Sequence, residues 1–207
     1  MELEIRRTTM ASDPGSLTLS DEKLRILRPD LYGVEGMWRS IKTLLGKAWD
    51  QKGQVAKQLK TGDSRAAIVV SVNPLVVAAY TDEMDCVVLL KFPNELVSLY
   101  GLKEGARLLT VNFYDDDPGM ACDLYPGPKN TNRWTNFGPL IADFLTEDQQ
   151  RLTLRKKQIS DSEWQRTWAM GQEYLKRHSN QIRDGRPIYS WDTIQTAAPV
   201  LKPWSPK

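Results

Sequence analysis

Three almost uninterrupted apolar runs, residues 66–72, 75–80 and 86–92, follow one another with only Asn73-Pro74 and Thr81-Asp82-Glu83-Met84-Asp85 between them. Runs this short, rich in Val, Leu, Ile and Ala and bounded by turn residues, read as adjacent β-strands joined by tight turns. Near-continuous hydrophobicity, rather than alternation, means that at least two of them are central and covered on both faces. The chain therefore needs apolar helical faces on two sides of a sheet.

The flanking sequence supplies them. Before the strands, Trp38, Ile41, Leu44, Leu45, Ala48, Trp49, Val55, Ala56 and Leu59 fall on one arc of a helix spanning 36–60, which Gly62 stops. Gly46 and Gly53 weaken that helix, and Lys52 falls inside its apolar arc, so a kink or two shorter helices would also fit. After the strands, Thr146 with Gln149 and Ser160 with Glu163 match the capping box and predict two C-terminal helices. On the second, Trp164, Trp168, Gly171 and Leu175 define a packing face, while Arg177 and His178 suit its negative end.

Between these regions, Pro93-Asn94-Glu95-Leu96 begins a short helix that Gly101 or Gly105 ends. A fourth strand is expected over 106–114 and a fifth over 120–125, joined by Asp115-Asp116-Asp117-Pro118-Gly119. Residues 126–139 then form the longest internal loop. The whole reads as one α+β domain over 1–207: a mixed, mainly antiparallel sheet of about five strands, a long N-terminal helix on one face and two C-terminal helices on the other. Residues 1–20 are an irregular N-terminal segment with Leu3 and Ile5 alternating as in a short strand, and 186–207 an extended Pro-rich tail.

Composition adds exclusions. With 41% apolar residues and 207 positions, the chain can bury a core without metal or disulfides. Cys86 and Cys122 form no CxxC pair, the start Met1-Glu2-Leu3-Glu4 lacks a secretory pattern, and no apolar stretch is long enough to span a bilayer. These features point to a soluble, cytoplasmic protein, with a monomer favoured. The net charge of +2 hides an acidic middle and a basic segment before it, which is read first as internal complementarity.

Catalytic motifs are scarce. His178 is the single histidine and is expected at a helix end; there is no Gly-x-Ser-x-Gly elbow, no P-loop and no dinucleotide fingerprint. Both cysteines fall on apolar strands and read as small core residues. The absence of an RNA-binding aromatic signature or a helix-turn-helix pattern argues against nucleic acid. Two features remain. Asp115, Asp117 and Asp123, leaving one strand and returning on the next, could ligate Mg²⁺ or Mn²⁺ through oxygen. Arg133, Trp134, Asn136 and Phe137 give the 126–139 loop two aromatics and two hydrogen-bonding side chains, which could hold a protein or small ligand, although both aromatics could instead plug the core. The leading expectation is a non-catalytic binding or regulatory protein. The alternative is a divalent-metal-dependent enzyme acting on a phosphorylated or nucleic-acid substrate.

Overall fold

A computed structural model describes residues 11–32, 51–115, 121–130, 134–178, 182–186 and 204. Helix α1 (Asp21–Leu27) and helix α2 (Gln51–Thr61) precede strands β1 (Asp63–Val72), β2 (Leu75–Thr81) and β3 (Cys86–Phe92). A short helix α3 (Glu95–Leu99) leads to β4 (Arg107–Asp115), then come β5 (Tyr125–Pro126), β6 (Asn136–Ile141), helices α4 (Gln149–Gln158) and α5 (Asp161–Arg177), and β7 (Arg183–Asp184). The strands form one sheet in the order β5-β3-β2-β1-β4-β6, antiparallel throughout, with β7 added parallel to β3. Among the described residues no helix is long and apolar enough to cross a membrane.

The continuous apolar runs do what their composition requires. In β1 to β3 successive side chains alternate between two cores. Ala67, Val69, Val77, Ala79, Val88 and Leu90 face a large cluster completed by Leu24 and Leu27 of α1, Val55 and Leu59 of α2, and Leu152 of α4. Ile68, Val70, Val76, Ala78, Val87 and Leu89 face the other way, under Trp164, Met170 and Tyr174 of α5. Gly171 lets α5 lie close to the sheet, because a Cβ there would stand 2.5 Å from the Ala78 Cβ and 2.9 Å from a Val70 methyl.

The sheet curls until its ends meet. Thr135, just before β6, accepts the Ala121 N–H at 2.9 Å, and the chain from Ala121 continues into β5, which pairs with β3. Arg183, on the strand added to β3, donates at 2.8 Å to the Phe137 carbonyl on β6. Opposite edges of the sheet are thus tied to each other.

Several expectations need correction. Within the described residues the long N-terminal helix is an 11-residue helix, Gln51–Thr61; residues 36–50, with Trp38, lie outside them. Among the described residues the sheet has seven strands rather than about five. The expected strand over 120–125 pairs only at Tyr125–Pro126, since the Leu124 N–H turns back to the Ala121 carbonyl at 3.2 Å. Residues 136–141, mostly assigned to the loop, are strand β6. The two C-terminal helices pack on opposite faces, α4 through Leu152 and α5 through Trp164. Asp148, not Thr146, caps α4, accepting from the Arg151 N–H at 2.9 Å. The N-terminal segment before residue 11 and most of the Pro-rich tail lie outside the described residues.

Candidate functional site

Two buried carboxylates, Asp63 and Asp85, and a half-buried one, Asp123, each held by an arginine, organise the molecule's polar interior. Asp63 and Arg65, two apart on β1, point to the same side. The Arg65 Nε lies 2.9 Å from Asp63 Oδ2, and its guanidinium also meets Asp82 and Asp13. Arg155 of α4 joins from outside, bonding the Ser64 hydroxyl and Asp13. The Tyr114 hydroxyl donates to Asp63 Oδ2 at 2.8 Å and stands 2.8 Å from the Thr81 hydroxyl, which then donates to it. Burial pushes the Asp63 carboxyl above its ordinary value despite the pull of Arg65, and drives the Tyr114 hydroxyl up as well. Among the described residues Asp63 Oδ1 has no hydrogen-bond partner.

Asp85 is the second hub. It sits at a positive φ of 45° in the turn between β2 and β3, and its carboxylate accepts from Tyr80 at 3.0 Å, from the Lys129 N–H at 2.8 Å, and from Arg166 Nε and Nη2 at 2.7 and 2.6 Å. Gly127 passes so close that a Cβ there would overlap the carboxylate. The third is Asp123, whose two oxygens receive Arg183 Nε and Nη2 at 2.6 and 2.7 Å.

Of the residues singled out in the 126–139 loop, Arg133 lies outside the described residues. Asn136 and Phe137 are on β6: Phe137 is fully buried, and the Asn136 side-chain oxygen accepts from Arg183 at 3.0 Å. Phe137 therefore belongs to the core, the other placement that the sequence left open for it. Trp134 differs. It is half-buried, packs against the larger core and stacks on Tyr114, with ring centroids 5.6 Å apart and planes at 25°. Asp115 ends β4 and is buried, Asp117 lies outside the described residues, and Asp123 sits in a turn rather than on a strand, committed to Arg183. Among the described residues no three His, Cys, Asp or Glu side chains come together as a metal site would require.

His178 caps α5, its N–H bonded to the Tyr174 carbonyl at 2.8 Å and its ring beside Tyr125 and Tyr174. No disulfide joins Cys86 and Cys122; Cys86 is buried, and burial raises its thiol far from the reactive range. Sequence reasoning passed over Asp63, Arg65, Asp85 and Arg166. The signal was present in β1 and the turn after β2, where charged residues adjoin apolar strands and have to be paired to be buried. No protein family, curated protein or solved structure is matched by this chain.

Proposed function

We propose that this chain is a non-catalytic binding protein whose partner, a protein segment or small ligand, engages the loop between β5 and β6 at Trp134. The observation that carries this reading is the Trp134–Tyr114 stack. Tyr114 is fixed from beneath by Asp63 and Thr81, so the indole lies on a rigid backing with part of its surface toward solvent. An aromatic held in place before binding loses little conformational freedom on binding, which is the property of an interface anchor. The charged groups support the same reading. Asp63, Asp85 and Asp123 are engaged by arginines in arrangements that fix loops and strands.

The test does not require the partner to be identified. A displayed random-peptide library is panned in parallel on wild type and Trp134→Ala. The expected result is a set of sequences that bind wild type and lose ~10-fold or more on the variant, consistent with the ~2 kcal/mol typical of an aromatic anchor. Sequences that bind both proteins equally, or no enrichment at all, would remove Trp134 as the recognition residue.

A further inference from the structure

A second surface is built where β5 meets α5, and it already holds a residue from far along the chain. The Trp204 N–H donates to the Pro126 carbonyl at 2.7 Å. Its indole lies under the Arg166 guanidinium, 5.4 Å from Cζ to ring centroid, and packs against the cluster formed by Tyr80, Tyr125, Met170 and Tyr174. Each part is positioned independently of Trp204. Arg166 cannot swing, because two of its nitrogens are held by Asp85. Asp85 in turn holds the Lys129 N–H, and its backbone carbonyl accepts from Gly127, so the segment that presents the Pro126 carbonyl is fixed to the same residue. A planar cation pinned over an apolar floor beside an outward-facing carbonyl suits a tryptophan arriving on an extended backbone.

The occupant has the matching chemistry. Trp204 stands in Lys202-Pro203-Trp204-Ser205-Pro206-Lys207. Prolines at 203 and 206 disfavour helix and favour an extended backbone, a bias that lowers the entropy lost on docking. Pro203 carries no N–H before Trp204, and the Trp204 N–H bonds the Pro126 carbonyl.

We propose that this cradle is a receptor for a tryptophan on a proline-flanked segment, and that the chain's own Trp204 occupies it as a tethered ligand. The tether keeps that ligand at an effective concentration on the order of millimolar, so a free segment of the same kind meets a filled site. The cradle is separate from the Trp134 stack, and either assignment can fail alone.

The test uses the full-length chain and a fluorescent synthetic peptide of residues 201–207, followed by polarisation. Trp204→Ala is expected to bind the peptide at least ~10-fold more tightly than wild type, because the competing ligand is gone. Adding Arg166→Lys, which keeps a positive charge near Asp85 but loses the planar guanidinium, is expected to weaken that binding several-fold. A peptide with alanine in place of the tryptophan should not bind. Equal affinity for wild type and Trp204→Ala, or no binding to the variant at millimolar peptide, would overturn the proposal. So would loss of the variant's cooperative melting, which would make Trp204 part of the core. A wild-type dimer that becomes a monomer in Trp204→Ala would place the tryptophan in a second copy and overturn the tethered arrangement.

Discussion

Glu163 shows how far a local motif can be read and where tertiary structure takes over. The Ser160–Glu163 pair promises a reciprocal cap, and half of it forms, with the Ser160 hydroxyl accepting from the Glu163 N–H at 3.2 Å. The Glu163 carboxylate instead accepts from the Ala66 N–H on β1 at 2.9 Å. There it is half-buried, and that burial, opposed by the Ala66 hydrogen bond and Arg65 and reinforced by Asp82 and Asp63, raises its pKa above the ordinary 4.5. A carboxyl with a raised folded-state pKa binds more protons in the folded than in the unfolded chain, so its contribution to stability falls as pH rises through that window. Glu163→Gln keeps an acceptor for Ala66 and removes the charge. Urea unfolding from pH 4 to pH 7 should therefore show the variant gaining on wild type as pH rises; a constant difference would mean that Glu163 ionises as freely folded as unfolded.

At the scale of elements, α5 was the most legible helix because its period survives in the fold: Trp164 and Gly171 both face the sheet. Gly171→Ala sets two effects against each other. Alanine favours the helix by ~1 kcal/mol, but its Cβ would collide with the Ala78 Cβ and a Val70 methyl, neither of which can swing aside. The collision should win, for a net loss of ~1–3 kcal/mol in chemical denaturation; a stabilised variant would show that α5 can lift off the sheet freely. Strands β1 to β3 were legible because burial on both faces leaves an apolar run unbroken. Strand β6 was not. It contains Gly138 and Pro139, which read as a loop, yet an edge strand tolerates proline where a central one does not. Of the two loop aromatics that the sequence made conspicuous, Trp134 stays half-buried, whereas Phe137, three residues on, went into the core for the same hydrophobic reason that made it conspicuous.

At the scale of the molecule, Arg183 joins what the sheet's own hydrogen bonding leaves apart. It sits on the strand beside β3 and bonds Asp123, Asn136 and the Phe137 carbonyl, with its side chain 16% and that of Asp123 13% exposed. Removing one member strands the other's charge in a poorly solvated place, so Arg183→Ala should cost ~3 kcal/mol. In a double-mutant cycle with Asp123→Ala the coupling should exceed ~1 kcal/mol, and additive losses would show that the pair does not close the sheet. The position of this arginine also bears on biosynthesis. Translation runs from the N-terminus at ~5–20 residues per second, so β1 to β6 leave the ribosome before Arg183 is made, on the order of a few seconds ahead of it. During that interval the outer edge of β6 presents strand backbone that Arg183 has yet to cover, the kind of edge to which another nascent chain can add a strand. Slowing elongation between residues 141 and 183 with rare synonymous codons should therefore raise the insoluble fraction of newly made protein without changing a single amino acid.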